Sequence, residues 1–176
     1  MRFVCQQYEN KFRPFGAIPW FSRTIHYTFL TDGSLIYSLK EINDKTGLPW
    51  GMKLFYIGEF QPHNNSVNFS FSQIDKLILN AYGYRDQKLF SVPIGEISPN
   101  RSYDFYIDAT GNRVRWIVNG NEKHRIDNWK PRITWLQTPF YGTSGNDPYP
   151  DGSPKPRASA PHKMSMEIQF VNNTIF

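Results

Sequence analysis

The chain has 176 residues, of which 16% are aromatic, and it carries a formal net charge of +5 at pH 7. This length fits one domain with a substantial hydrophobic core. Lys and Arg are spread along the chain without a run of five, which argues against a dedicated nucleic-acid module, because such modules cluster their positive charge. Cys5 is the only cysteine, which excludes an intrachain disulfide and a CxxC metal site.

The first 22 residues hold Pro14, Gly16 and Pro19 among several aromatic side chains. This mixture predicts an irregular N-terminal arm at residues 1–22, which docks its rings on the body or on a partner. Residues 23–176 are interpreted as one domain. Because no apolar stretch is long enough for a signal peptide or a membrane span, we expect the chain to be cytoplasmic at synthesis.

Alternating apolar residues continue from residue 23 to residue 97. Ile25, Tyr27 and Phe29 alternate with polar neighbours, and residues 31–34 predict a turn into a returning strand at 35–39. Further strands are predicted at 50–60, 67–71, 77–84 and 88–94, each bounded by turn residues. Gly51 and Gly58 are expected to mark bulges or close backbone approaches.

Residues 101–126 give the clearest pattern in the chain. Tyr103, Phe105 and Ile107 share one face of a strand, and a Gly/Asn turn leads to a second strand with the same alternation. A turn at Asn119 and Gly120 predicts a third strand. Three antiparallel strands with one apolar face need a second sheet to cover them, which predicts a sandwich.

The last part of the chain combines a long loop with a closing strand. Residues 142–161 are rich in Gly, Pro, Ser and Asp, and a loop of this length is either functional or disordered. Alternation resumes at residues 164–170. With about ten strands and no amphipathic helix, the sequence predicts an all-β, antiparallel two-sheet sandwich with little or no helix.

The order of these segments resembles the concanavalin A-like lectin/glucanase jelly roll. The resemblance rests on the strand at 102–107, followed by a strand at 114–118 that ends in Asn119-Gly120. Residues 50–55, 63–69 with 77–84, and 139–142 with 160–164 more closely resemble a group of short bacterial and phage-borne β-sandwich proteins. The resemblance implies the jelly-roll fold and carries no established activity.

The glucanase branch of this fold uses Glu-x-Asp-x-x-Glu on one strand, which this chain lacks. Asp104 and Asp108 are the nearest substitute, but four residues along a strand separate them by roughly 13 Å, too far for a retaining pair. The four histidines are dispersed, and no Ser or Cys lies in a nucleophile motif. On these grounds the chain is predicted not to be an enzyme.

Aromatic side chains beside polar ones are the remaining candidates for ligand binding, because sugar C–H faces stack on rings. Tyr82 and Tyr84 share a face opposite Leu77, Leu79 and Ala81. The candidate ligand-binding residues are Tyr82, Tyr84, Trp50, Tyr149, Lys155 and Arg157.

No cofactor is expected. Calcium is the one alternative, through the loop oxygens of Asn146, Asp147 and Asp151, whose spacing matches no defined calcium loop.

Two functions compete from the residues, and nucleic-acid binding through the scattered Arg and Lys side chains is a third, less favoured one. One is a non-catalytic, lectin-like module that binds a carbohydrate or a surface, and the other is a structural or assembly protein, such as a virion component docked through its N-terminal arm. The expected partner is accordingly a glycan or an assembly protein, and oligomerisation is left open.

Overall fold

The computed structural model describes residues 1–14, 16–42, 51–141 and 159–171. Two antiparallel sheets contain all thirteen strands of this part of the chain. Its only helical element is a 3₁₀ turn at Leu39–Glu41. The predicted all-β, two-sheet jelly-roll sandwich is therefore confirmed. No helix among these residues is long and apolar enough to cross a membrane.

The first sheet has six strands in the order β1-β13-β3-β8-β9-β10. They are β1 (Arg2–Cys5), β13 (Met164–Phe170), β3 (Thr24–Leu30), β8 (Tyr103–Asp108), β9 (Arg113–Val118) and β10 (Asn121–Asp127). The last three are the strands predicted at residues 101–126.

The second sheet has seven strands, six of them in the order β2-β11-β4-β5-β6-β7, with β12 also paired to β4. They are β2 (Ala17–Pro19), β11 (Trp135–Gln137), β4 (Met52–Gly58), β5 (Ser66–Ser72), β6 (Leu77–Arg85), β7 (Lys88–Ile97) and β12 (Phe140–Tyr141). We call this the seven-stranded sheet.

The core lies between the two sheets and is built from the alternating positions. Phe69 of β5 stacks on Phe105 of β8 with ring centroids 4.7 Å apart, and Phe29 of β3 stacks on the same ring at 5.4 Å. Trp116 of β9 is fully buried and donates its indole N–H to the backbone oxygen of Asn68, 2.8 Å away. Rings from both sheets therefore interdigitate, and one hydrogen bond ties the sheets directly.

The first 22 residues hold regular strands as well as irregular backbone. Strand β1 pairs with β13 and strand β2 pairs with β11, so this segment supplies an edge strand to each sheet. Phe12 is fully buried, whereas Phe21 is 81% exposed. Most of this segment is thus hydrogen-bonded into the sandwich.

The predicted hairpin at residues 23–40 is wrong. Strand β3 pairs with β8 and β13, both distant in sequence, and residues 35–38 form no strand. The turn is instead anchored to β13, because the Thr31 and Ser34 hydroxyls both donate to the backbone oxygen of Ser165. Leu35 and Tyr37 then bury their side chains in the core rather than returning along β3.

Gly51 and Gly58 mark close backbone approaches, as the sequence predicts. A Cβ atom on Gly51 would lie 2.0 Å from the backbone oxygen of Phe71, and one on Gly58 would lie 2.3 Å from that of Asn65. Gly51 precedes β4 and Gly58 ends it, so β5 can pass closer to β4 than any side chain would allow.

Candidate functional site

The outer face of the seven-stranded sheet carries polar and aromatic side chains. They alternate with core residues such as Ile57, Val67 and Leu79. Cross-strand pairing aligns most of them in three rows across the strands: Phe140, Lys53, Ser70, Asn80 and Pro93; Gln137, Tyr56, Asn68, Tyr82 and Ser91; and Trp135, Gly58, Ser66, Tyr84 and Leu89. A shorter row beside the first contains Ser72, Ile78 and Glu96.

A bulge in β4 places Lys53 and Tyr56 on this same face. Residues three apart normally point to opposite faces of a strand, but the pairing with β5 shifts between Lys53 and Tyr56. The two residues inside the bulge, Leu54 and Phe55, join the core. The bulge therefore turns Tyr56 outward and keeps both residues on the outer face.

Lys53 is only 7% exposed and lies against two aromatic rings. Its Nζ atom is 5.5 Å from the ring centroid of Tyr82 and 5.7 Å from that of Phe140. Burial disfavours the ammonium form and lowers the pKa of Lys53 to about 8. A lysine in this position can exchange a proton near neutral pH, which an exposed lysine cannot do efficiently.

Asn68 lies between Tyr56 and Tyr82 in the middle row, and it is 3% exposed. Its side-chain Oδ1 atom is buried without a hydrogen-bond partner. Such an acceptor costs free energy unless a donor reaches it.

The two tyrosines of the middle row keep their protons. Burial raises the pKa of Tyr56 well above its usual value, and burial followed by the neighbouring Tyr84 does the same for Tyr82. Both phenols are therefore proton donors at neutral pH. Tyr82 remains partly exposed, whereas Tyr56 is 4% exposed.

A rim of partly exposed rings borders the floor formed by Lys53, Tyr56, Asn68 and Tyr82. Phe60, which is 66% exposed, packs on Trp135 with ring centroids 5.0 Å apart. On the β6 side, the ring of His63 lies 4.7 Å from that of Tyr84. Aromatic faces of this kind suit the C–H faces of sugars.

Among the described residues, the three rows contain no carboxylate, and the acidic side chain of the neighbouring row, Glu96, pairs with Lys76 at 3.3 Å. Asp104 and Asp108, the acidic pair considered from the sequence, lie on the other sheet. Asp104 pairs with His26 at 2.6 Å, and Asp108 accepts hydrogen bonds from Thr110 and Arg115. These contacts fix both carboxylates in an outward polar network far from Lys53.

The candidate residues fall into two groups. Tyr82 and Tyr84 lie on the outer face, opposite the buried Leu77, Leu79 and Ala81. The other candidates lie outside the described residues: Trp50, Tyr149, Lys155 and Arg157 for ligand binding, and Asn146, Asp147 and Asp151 for calcium. Within the described ranges, no three His, Cys, Asp or Glu side chains are grouped as metal ligands would be.

The sequence analysis missed Lys53, Tyr56 and Asn68. Lys53 is the one charged residue in the apolar stretch 50–58, and a charge in an otherwise buried strand is the signal that could have identified it. Tyr56 was hidden by the bulge, because strict alternation from Lys53 assigns it to the core face.

No protein-family model matches this chain, and no curated protein matches it by sequence. Solved structures share its fold. Alginate lyase Aly36B, in complex with an alginate trisaccharide, superposes with a TM-score of 0.58 at 14% identity, covering 96% of this chain and 78% of that chain. The laminarinase catalytic domain from Thermotoga maritima gives 0.56 at 12% identity, covering 96% and 74%.

A third match is the β-glucanase of Bacillus licheniformis, with a TM-score of 0.53 at 11% identity, covering 89% of this chain and 69% of that chain. The chain therefore has the concanavalin A-like jelly-roll fold that its sequence resembles. The closer resemblance to short bacterial and phage-borne proteins stays a prediction.

These comparisons contradict two predictions made from the sequence: a non-catalytic, lectin-like module and the absence of enzymatic activity. The structures that share the fold are polysaccharide-degrading enzymes, a lyase and two glucanases. The prediction failed because it tested only for one carboxylate motif and for nucleophile motifs, and the lack of these motifs does not exclude other enzymatic chemistry. The alternative of a virion component gains no support from these structures.

Proposed function

We propose that this protein is a glycan-degrading enzyme that binds a polysaccharide across the outer face of its seven-stranded sheet. Proteins of the same fold act on alginate, laminarin and β-glucan according to their names. The support from this chain itself comes from the rim and the floor of that face.

The rim supplies binding surface. The pairs Phe60–Trp135 and His63–Tyr84 lie on opposite sides of the Gly58 position in the third row. A chain of sugar rings laid along this row would stack on aromatic faces at both ends. Stacked rings hold a polymer without requiring charge complementarity.

The floor supplies reactive groups, and one observation carries the proposal: Lys53 is buried beside Tyr82 on the sheet surface rather than in the core. Burying an ammonium group costs free energy that a methionine or leucine would avoid. Groups with altered pKa values cluster at functional sites. The burial of an ionisable amine in this strand therefore supports a role for Lys53 in proton exchange.

The test is the release of reducing ends from a panel of polysaccharides that includes alginate, laminarin and mixed-linkage β-glucan. The wild-type chain is compared with Lys53→Met, which keeps the length of the side chain and removes the amine. We expect cleavage of at least one polymer by the wild type. In Lys53→Met its rate should fall by about 10²- to 10⁴-fold, the usual contribution of a general acid or base.

Lys123→Met is the matched control, since Lys123 is exposed on β10 of the other sheet. It should retain the wild-type rate. Full activity in Lys53→Met, with thermal unfolding still cooperative, would exclude Lys53 as a reactive group. No release of reducing ends from any polymer would contradict the proposed activity itself.

A further inference from the structure

A polar cavity, which we call the turn cavity, opens at one end of the six-stranded sheet, the sheet that does not hold Lys53. Its volume is about 410 Å³, within the range of roughly 300–1,000 Å³ that is typical of small-molecule sites. It lies between the turn that joins β8 to β9 and the end of β10. The residues that line it are Thr110, Gly111, Asn112, Arg113, Asp127 and Asn128.

Backbone contacts fix the two walls of the turn cavity. The backbone N–H of Trp129 donates to the backbone oxygen of Asn112 at 3.3 Å, and the Arg85 guanidinium donates to the backbone oxygen of Asn128 at 2.9 Å. Gly111 and Asn128 both have left-handed backbone, with φ values of 68° and 54°, which Gly and Asn adopt at least cost. Walls held in this way bind a ligand without the cost of ordering a loop.

The side chains of the turn cavity leave both donors and acceptors available. Asn112 Nδ2 donates to Asn128 Oδ1 at 3.4 Å, which leaves the Asn112 oxygen as an acceptor and the Asn128 amide nitrogen as a donor. Asp127 directs its Oδ2 atom to Arg125 Nε at 3.4 Å, so its Oδ1 atom remains an acceptor. Within the described residues, the guanidinium of Arg113 has no ion pair.

This combination of donors and acceptors matches adjacent hydroxyl groups. A hydroxyl group donates one hydrogen bond and accepts others, so a pair of them on a sugar ring satisfies donors and acceptors together. A phosphate or sulfate group offers acceptors alone, and it would place negative charge against the Asp127 carboxylate. Arg113 and Asp127 carry opposite charges, so a neutral ligand meets no net charge from the lining residues.

We propose that the turn cavity binds a neutral saccharide unit through its hydroxyl groups, as a site separate from the outer face of the seven-stranded sheet. This inference goes beyond the proposed function, because it assigns binding and no chemistry to the cavity. Arg113 keeps its proton at all ordinary pH values, and Asp127 is paired with Arg125. The saccharide is held by hydrogen bonds from Arg113 and Asn128 and to Asn112 and Asp127.

The turn cavity lies at the same end of the sandwich as the aromatic rim of the outer face. Arg85 directly follows Tyr84, whose ring belongs to that rim, and its guanidinium contacts Asn128 in the cavity wall. The same guanidinium lies over the buried ring of Trp129 at 5.8 Å. A polysaccharide anchored in the turn cavity is therefore kept close to the rim, which raises its effective concentration at the outer face.

The experiment titrates the full, isotope-labelled chain with the methyl glycosides of glucose, mannose and galactose, and follows the side-chain amide signals of Asn112 and Asn128 by NMR. Fully O-methylated methyl glucoside is the matched control ligand, because it keeps the ring and its acceptors but has no hydroxyl donors. Inorganic phosphate tests the alternative of an anion site. We expect saturable shifts of both amide signals with at least one free glycoside, and none with the methylated compound or phosphate.

Arg113→Met removes the guanidinium from the cavity and should raise the dissociation constant of that glycoside by about 10-fold or more, the usual effect of losing a charged hydrogen bond. Arg132→Met is the matched control, since Arg132 is exposed and outside the cavity lining, and it should leave the constant unchanged. Equal affinity in Arg113→Met and the wild type would overturn the assignment.

Three further results would overturn it: no saturable shift with any of the three glycosides, equal shifts with the methylated compound, or shifts with phosphate alone. None of these readouts uses cleavage of a polymer. The proposal therefore stands or falls independently of the activity proposed for the outer face.

Discussion

The burial of Lys53 lowers the stability of the folded protein. Its amine is buried in the side of a sheet, where the charged form loses most of its hydration. The pKa falls from 10.5 to about 8, so at neutral pH the folded protein either carries an unfavourable charge or gives up a proton. Below pH 8 the unfolded chain holds this proton at no such cost.

The sign of this effect gives a prediction for stability. Between about pH 8 and pH 10.5 the unfolded state binds more protons at this residue than the folded state, so stability rises with pH over that window. Lys53→Met should remove this rise and stabilise the protein at pH 7 by up to roughly 3 kcal/mol, the full pKa difference expressed as free energy.

Denaturant unfolding of both proteins at pH 7 and pH 10 measures this effect. The gain from Lys53→Met should be largest at pH 7 and small at pH 10. A gain of the same size at both values would mean that packing, and not desolvation of the ammonium group, accounts for it. Destabilisation by the substitution at pH 7 would contradict the assigned burial cost.

Residue-scale patterns in the sequence predict which side chains share a face, but not which face is functional. The shared face of Tyr82 and Tyr84 is predictable because β6 has no bulge between Leu77 and Tyr84 in its pairing with β5. Successive side chains of this strand therefore point to opposite faces. Lys53 and Tyr56 are not, because the bulge between them depends on how β4 meets β5. Register shifts of this kind arise from pairing between strands and leave no mark in a single strand.

At the scale of elements, glycines determine how closely the central strands approach. A Cβ atom on Gly83 in β6 would lie 2.0 Å from the backbone oxygen of Ser66 and 2.8 Å from the Phe90 ring. The contact with Ser66 cannot relax without moving backbone, and the Phe90 ring must also shift. In β7, by contrast, a Cβ atom on Gly95 would have no heavy atom within 4 Å.

This contrast predicts unequal costs for the same substitution. Gly83→Ala should destabilise by about 1–3 kcal/mol, because it overpacks a site enclosed by backbone. At this size that corresponds to a fall in melting temperature of roughly 2–12 °C. Gly95→Ala should change the melting temperature far less, and calorimetry of the two variants against the wild type is the comparison. Equal effects would show that β5 and β6 can separate without cost.

Pairing between strands that are distant in the sequence could not be predicted from the sequence. The strands at 101–126 are predictable because two short turns join neighbours in the sheet. Strand β3 is different: its alternation is clear, yet its partners are β8 and β13, and the hairpin predicted at 23–40 does not exist. Long-range pairing depends on which distant edges remain open, which local alternation does not encode.

At the scale of the whole molecule, the sandwich separates two chemically different surfaces. The outer face of the six-stranded sheet carries ion pairs, such as Arg115 with Asp108 and Arg125 with Asp127. The outer face of the seven-stranded sheet carries mostly rings, amides and hydroxyls, with Lys53 among them and Glu96 near one edge. The fold class was predictable because period-two patterns run through the chain. The function was not predictable from the fold, because lectins and enzymes share it. Their functions differ through a few outward-facing side chains.

The most direct measurement is a crystal structure of Lys53→Met with an oligosaccharide of the polymer that the wild type cleaves. We predict sugar rings across the outer face of the seven-stranded sheet, stacked near Tyr84 and Trp135. The scissile linkage should lie next to position 53 and the Tyr82 side chain. An oligosaccharide bound on the six-stranded sheet, or one that does not contact Tyr82, would contradict the assignment of this face as the active site.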